Sequence, residues 1–256
     1  MRVAILAGGL GSRLSEETDV RPKPMVGIGG RPIIWHIMKH YEVYGFSDFY
    51  VAVGYKGDIL KRYFLDYTLV SGSVAVSLQE GEARSLEDAQ EHWSVNLIDT
   101  GNDTNTGGRL KRLEPWLRDG TFMLTYGDGV SDVDVGALID FHRAHGRHAT
   151  ITAVRPPSRF GELIFGDDDT IRFKEKPQMG EGWINGGFMV LEPEVFDLID
   201  GDDSGLEGDV FERLSEEGQL VAYRHESFWQ CMDTLRDVRY LRELWESGNP
   251  PWVTWE

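Results

Sequence analysis

Gly8, Gly9 and Gly11 stand together near the start of this chain, followed by Ser12-Arg13-Leu14 and then by Pro22-Lys23-Pro24. Glycines let a backbone approach a ligand closely and turn N–H groups toward phosphate oxygens. An arginine and a lysine close by add positive charge where phosphates would lie. The chemistry of such a set is to hold a polyphosphate. Two familiar phosphate motifs do not fit. The dinucleotide fingerprint, started at Gly9 and Gly11, meets Leu14 where its third glycine belongs. The P-loop needs a lysine inside the loop, and there is none. A plain glycine turn between strand and helix explains the glycines but not Arg13 and Lys23.

Two carboxylates could serve a metal ion. Asp128 lies in Tyr126-Gly127-Asp128-Gly129, and Asp233 follows Trp229-Gln230-Cys231-Met232. Magnesium takes one or two carboxylates and fills its shell with water and phosphate oxygens. An aspartate in Asp-Gly is also a common turn residue, and Asp128 is open between the two readings. Asp233, taken alone, is more simply a neighbour of a Thr234 N-cap. Glu175 and Lys176, in Phe173-Lys174-Glu175-Lys176-Pro177, read by default as an alternating, solvent-facing strand. The stretch from Asp99 to Arg109 is a polar loop without an aromatic side chain.

Alternating elements must position these residues. Arg2–Leu6 reads as a short buried strand emptying into the glycines. Pro32 suits a first helical turn, with Ile34, Ile37, Met38 and Tyr41 on one face. Phe49–Val53 is the next strand, and Ile59, Leu60, Tyr63, Phe64 and Tyr67 form another helical stripe. Val74–Leu78 and Val95–Ile98 read as strands, Leu110, Leu113 and Leu117 as a helix, and Phe122–Tyr126 as a central strand ending at Asp128. Leu138, Ile139 and His142 continue the pattern before a strand over His148–Val154. Leu163–Phe165, Ile171–Glu175, Ile184–Leu191 and Leu220–Tyr223 make the second half richer in strands. Thr234 opens a capping box closed by Asp237, and Leu235, Val238, Leu241 and Trp245 share a helix face. The expected fold class is α/β: a Rossmann-like, mostly parallel mixed sheet flanked by helices, with a strand-rich lobe. One domain over 1–256 is expected, its nucleotide-binding half at 1–155 and its second half, with a C-terminal helix and tail, at 156–256. Trp252 and Trp255 are too apolar for a free tail and are expected against the body or a neighbouring subunit.

Composition narrows the partners. The chain has 256 residues, 41% hydrophobic and 27% charged, enough for one large core. A formal net charge of −17 argues against nucleic acid or an anionic membrane as partner. The single cysteine, Cys231, allows no internal disulfide and suits a reducing, cytoplasmic setting. No apolar run approaches the roughly 18 residues of a membrane span, and the apolar start meets glycines too soon for a signal peptide. The acidic run Gly166–Asp169 reads as a solvated turn.

The run G-G-x-G-S-R-L, then P-K-P, resembles the signature of the sugar-phosphate nucleotidylyltransferases. The segments Glu175-Lys176-Pro177 and Asn185-Gly186-Gly187 resemble that family's sugar-binding segments. Leu14–Thr18, Asp99-Thr100-Gly101, Thr106–Arg109, Trp229–Thr234 and Pro251-Trp252 extend the resemblance over nearly the whole length, with Cys231 where proline is expected. The resemblance implies the nucleotide-diphospho-sugar transferase fold and, within the family, transfer of a cytidylyl group from CTP to α-D-glucose 1-phosphate. It implies nucleotide contacts from Leu6, Ala7, Gly8, Gly9, Gly11, Ser12, Arg13, Lys23, Thr104, Arg109 and Gly127. Lys23, Arg13 and Asp128 are the implied catalytic residues, and Asp128 and Asp233 the ligands of Mg²⁺. Glu175, Lys176, Asn185 and Gly187 are implied to bind the sugar phosphate. A homo-oligomer is implied too, a hexamer among its sizes. Rival readings are dTTP, UTP or GTP as the nucleotide, or a catalytically silent sugar-nucleotide sensor. Intact Arg13, Lys23, Asp128 and Asp233 argue against the sensor.

Overall fold

The computed structural model describes residues 1–88, 90–156, 162–165, 171–174 and 182–255, the segments 162–165 and 171–174 as backbone strands only. The described strands of three or more residues are β1 (Val3–Leu6), β2 (Asp48–Val53), β3 (Val74–Ser77), β4 (Glu82–Ser85), β5 (Ser94–Asp99), β6 (Phe122–Tyr126), β7 (Gly129–Ser131), β8 (Ala149–Val154), β9 (Glu162–Phe165), β10 (Ile171–Lys174), β11 (Ile184–Leu191), β12 (Leu220–His225) and β13 (Trp229–Cys231). The longer helices are α1 (Ile33–Val43), α2 (Gly57–Leu65), α3 (Thr106–Arg112), α4 (Val135–His145) and α5 (Leu235–Glu246).

Seven strands form one sheet in the order β12-β8-β11-β6-β1-β2-β5. All neighbours are parallel except β11, which runs antiparallel to both β8 and β6. Side chains alternate between faces along each strand. Val3 and Ile5 of β1, with Phe49, Val51 and Val53 of β2, face one way and pack with α1, α4 and α5. Ala4, Leu6, Tyr50 and Ala52 face the other way, toward Leu110, Leu113, Phe196 and Leu214. The sheet therefore has a core on each side, as crossover connections require. Strands from the second half, β11 and β12, complete the sheet that the first half begins.

The expected elements form, with instructive breaks. Ile34, Ile37, Met38 and Tyr41 are all buried on α1. The stripe from Ile59 to Tyr67 is divided at Asp66, where α2 gives way to a single turn over Tyr67–Val70. The helix through Leu110 and Leu117 is also divided, at Leu113, because Pro115 cannot supply an interior N–H. Val74–Ser77 is a strand, but it pairs with β4 in a separate hairpin instead of joining the sheet. Thr234 caps α5 with the full reciprocal box: its hydroxyl accepts from Asp237 N–H, and the Asp237 carboxylate accepts from Thr234 N–H. Trp252 is buried against α1, its indole donating to His36 Nδ1 at 3.3 Å, while Trp255 packs edge-on to Trp35 and is half-buried. The Gly166–Asp169 run lies outside the described residues. Among the described residues no helix is long and apolar enough to cross a membrane.

Candidate functional site

The parallel strands β1 and β6 end side by side, Leu6 pairing with Tyr126. Ligand clefts in open α/β sheets form beyond such carboxyl ends. A cleft of about 600 Å³ lies there, lined by the loop from Leu6 to Ser12, by Lys23 and Pro24, by Asn102–Thr106 with Arg109, by Tyr126–Asp128, and by Asp203. That volume suits a nucleotide-sized ligand. Of the residues implied as nucleotide contacts, Leu6, Ala7, Gly8, Gly9, Gly11, Ser12, Lys23, Thr104, Arg109 and Gly127 border this cleft and Arg13 does not; Asp128, implied for catalysis and metal, borders it too.

Two glycines of the cleft, Gly11 and Gly8, have steric reasons, whereas Gly9 has open space around it. Gly11 adopts a left-handed conformation, φ 64°, as a single turn begins at Ser12. Gly8 lies against the Arg109 guanidinium: a Cβ there would stand 2.2 Å from Nη1. Gly54, at the end of β2, meets the same group at 2.4 Å and the Gly101 carbonyl oxygen at 2.6 Å. Nothing periodic marks Gly54 in the sequence, and it was not anticipated.

Arg109 explains that crowding. It is buried, and its Nη1 donates to Thr100 Oγ1 at 2.8 Å and to the Gly101 carbonyl at 2.7 Å. Its Nη2 donates to the Asn102 carbonyl at 3.0 Å. Burial, with Arg112 adding to it, pulls the guanidinium below its ordinary pKa. Three of its five N–H donors thus hold the polar loop in shape, and two are left for a ligand. The loop is braced from the other side by the 202–204 turn. Asn105 N–H donates to the Asp202 carbonyl at 2.8 Å and Gly108 N–H to the Ser204 carbonyl at 3.2 Å. Side chains on Gly107 or Gly108 would collide with those carbonyls. Asp203 reaches the cleft this way, with no sequence signal to announce it.

The two aspartates are brought together by a short antiparallel ribbon. β7 pairs with β13, Cys231 opposite Gly129, and the next step joins Met232 N–H to the Asp128 carbonyl at 2.8 Å. Asp128 and Asp233 therefore converge at one end of the ribbon. Cys231, in place of proline, is an ordinary ribbon residue, and burial beside the two aspartates pushes its thiol up to about 12. The Lys23 ammonium lies between the carboxylates, 2.8 Å from Asp128 Oδ2 and 2.5 Å from Asp233 Oδ1. Arg13 Nη1 meets Asp233 Oδ2 at 3.2 Å from the rim, its side chain largely exposed. Burial raises the Asp233 carboxyl, but the hydrogen bond and charge of Lys23, then Arg13, outweigh it and hold the group below its ordinary value. Two carboxylates converge on one cation position beside the cleft. No third His, Cys, Asp or Glu completes a metal cluster among the described residues. That donor set fits a hard divalent ion that keeps water and phosphate oxygens in its shell.

The second-half residues reach the edge of the cleft through Tyr126. β11 bulges at Gly186 and Gly187, where its register against β8 shifts. Gly187 has φ 81°, and a Cβ there would stand 2.6 Å from the Tyr126 ring. Asn185 Oδ1 accepts from Gly187 N–H at 2.9 Å, and its Nδ2 points to Tyr126 Oη at 3.4 Å. Tyr126 in turn donates to Glu207, which also accepts from Thr106 Oγ1 at 3.1 Å. Glu207 was not anticipated either. It sits on a π-helical segment, Leu206–Phe211, of the kind often found at functional sites. Glu175 and Lys176 lie outside the described residues.

Comparison with known proteins agrees with this geometry. The family model described as nucleotidyl transferase matches residues 2–246. The chain is 51% identical to the glucose-1-phosphate cytidylyltransferase of Salmonella typhimurium, over 100% of both chains. It is 40% identical to the probable glucose-1-phosphate cytidylyltransferase of Bacillus subtilis, again over 100% of both. In fold it is similar to HddC from Yersinia pseudotuberculosis, with a TM-score of 0.71 at 23% identity, covering 95% of this chain and 99% of that one.

Proposed function

The chain belongs to the nucleotidyl transferase family, and from that premise we propose that it transfers a cytidylyl group from CTP to α-D-glucose 1-phosphate, giving CDP-glucose and pyrophosphate. Full-length identity of 51% to a glucose-1-phosphate cytidylyltransferase supports the choice of substrates. The observation that carries the chemistry is the Lys23 ammonium, set between two carboxylates on the wall of the glycine cleft.

The reaction needs no protein nucleophile, because the attacking sugar-phosphate oxygen is already anionic. Catalysis is then positioning plus charge stabilisation. In this reading the N–H groups around Gly8, Gly9 and Gly11, with Arg13 above them, hold the β- and γ-phosphates. Lys23 reaches both the carboxylates and the cleft. The α-phosphate gives its ammonium a new anionic partner, and the charge that grows there in the transition state strengthens the contact. Asp128 and Asp233 would hold Mg²⁺, whose chemistry is to neutralise charge shared by the substrates and the leaving pyrophosphate. Thr104 and the two remaining donors of Arg109 face the base. Cytosine presents acceptors at O2 and N3, whereas uracil and thymine carry a proton on N3. Asn185 and Gly187, with Glu175 and Lys176, take the glucose 1-phosphate. We assign the enzyme, as one domain, to the cytoplasm and to a homo-oligomer.

Pyrophosphate release with glucose 1-phosphate, screened over CTP, UTP, dTTP and GTP with and without Mg²⁺, tests this reading. CTP is expected to be turned over fastest and EDTA to stop the reaction. Faster turnover of dTTP or GTP would remove the cytidylyl assignment and leave the transferase standing.

A further inference from the structure

Lys56 is the only non-glycine residue with a positive φ among the described residues, at φ 50° and ψ 34°. A lysine in the left-handed region is costly, and such outliers persist where the surroundings hold them for a reason. The reason here lies in what the side chain touches. The Lys56 ammonium donates to the Thr18 carbonyl at 3.1 Å and to the Asp19 carbonyl. Tyr55 Oη donates to the same Thr18 carbonyl at 3.3 Å. These carbonyls end the single helical turn Ser15–Thr18, where a cation is favoured. At the other end of the same segment, Tyr55 N–H donates to the Gly8 carbonyl at 3.2 Å. The Tyr55-Lys56 turn therefore grips the glycine loop at both ends, with Arg13 carried on the arch between.

The arch is stiff only if that grip holds. Thr18 is buried, its hydroxyl proton is shared between the Leu14 carbonyl at 2.9 Å and the Gly11 carbonyl at 3.2 Å, and its methyl packs on Gly11. The position of Thr18 thus sets that of Gly11, and Lys56 sets that of Thr18. Arg13 itself is largely exposed, and besides the arch only its contact with Asp233 Oδ2 at 3.2 Å aims it.

We propose that Lys56 is a positioning residue for the nucleotide: by fastening the Thr18–Asp19 end of the glycine loop, it holds Arg13 and the loop N–H groups where the β- and γ-phosphates of CTP bind. This rests on the phosphate reading of the Gly8–Arg13 loop. Lys56→Gly and Lys56→Asn both remove the ammonium while suiting the left-handed backbone, so neither is expected to lower the melting temperature. The KM for CTP is expected to rise about tenfold or more as the two charge-assisted hydrogen bonds to Thr18 and Asp19 are lost. The KM for glucose 1-phosphate should stay put, and Lys56→Arg should restore most of the loss. In an Arg13→Ala background, Lys56→Gly should add little, since both act on the same phosphates. A wild-type KM for CTP in Lys56→Gly and Lys56→Asn overturns the proposal, as does an effect that multiplies in full with Arg13→Ala. If Arg13→Ala itself leaves the KM for CTP unchanged, the phosphate reading of the loop has failed, and the proposal with it. If Arg13→Ala raises KM and Lys56→Gly does not, only the proposal has failed.

Discussion

Replacing Lys23 by methionine keeps most of the side chain's apolar stem and removes the charge that holds Asp128 and Asp233 together. Both carboxylates are within hydrogen-bond reach of the same nitrogen. At roughly 5 Å and an effective dielectric of about 20, two bare carboxylates repel by about 3 kcal/mol. Their side chains are 28% and 21% exposed, so solvent screens part of this and about 1–3 kcal/mol is expected in practice. For a chain of this size that lowers the melting temperature by about 3–9 °C. Added Mg²⁺ should restore most of the loss in Lys23→Met, because the ion takes the place of the ammonium. In the parent protein without nucleotide Mg²⁺ should do little, because it must displace Lys23. The double variant Lys23→Met/Asp233→Asn should recover stability without metal. Acid should close the gap as well. The folded Asp233 carboxyl is held below its ordinary 3.8, so its contribution is present above that value and is lost as pH falls through the depressed one. Without Lys23 the same protonation relieves repulsion. Thermal unfolding in EDTA and across a Mg²⁺ titration measures all of this. An unchanged melting temperature in Lys23→Met, or a loss that Mg²⁺ does not repair, would falsify the resident-cation account.

Other variants probe other parts of the site. Asp128→Asn and Asp233→Asn should each fold yet lose about a hundredfold or more in turnover with Mg²⁺, as expected when an ion loses a ligand; near-parental rates in both would remove the metal assignment. Gly8→Ala drives a methyl into the Arg109 guanidinium and should raise the KM for CTP. Gly54→Ala should be worse, because there the obstacle includes the Gly101 backbone oxygen, which cannot swing away; steady-state kinetics with a melting curve will rank the two. Trp252→Ala empties a fully buried site between α1 and Phe228 and should cost about 3–5 kcal/mol. A Trp252→Ala protein that melts within a degree or two of the parent would show that the tail contributes little to the monomer.

The glycine loop's place at the cleft was legible in the sequence because its signal is local: three glycines, Arg13 and Lys23 lie within sixteen residues, Gly8 to Lys23. The aspartate pair was not legible from either residue alone. Their meeting depends on β7 pairing with β13, two three-residue strands about a hundred positions apart, and no periodicity reports such a pairing. Arg109 was found, but its work was only half seen. Gly8, Gly54, the Thr100 hydroxyl and the Gly101 and Asn102 carbonyls are gathered around it by the fold. Val74, Val76 and Leu78 misled in the opposite sense. Their alternation reads as a half-buried strand of the sheet, yet they sit on the outlying β3–β4 hairpin with 42%, 58% and 93% exposure. Asp203 and Glu207 come from a connection whose sequence carries no motif.

One strand reversal lets the second half of the chain serve the same cleft. In a purely parallel sheet every strand would enter from the far edge, and only loops leaving the strands would reach the ligand. β11 runs the other way, so its first residues arrive where β6 ends, with Phe188 opposite Thr125. That register sets Gly187 against Tyr126, one residue before Gly127-Asp128. The bulge at Gly186 and Gly187 then turns Asn185 toward the Tyr126 hydroxyl. Tyr126 passes the link to Glu207, and Glu207 to Thr106 at the start of α3. A continuous set of hydrogen bonds thus joins Asn185 to Thr106, at the start of the helix that carries Arg109. The two halves of the proposed reaction are held in fixed relation by an antiparallel strand in an otherwise parallel sheet.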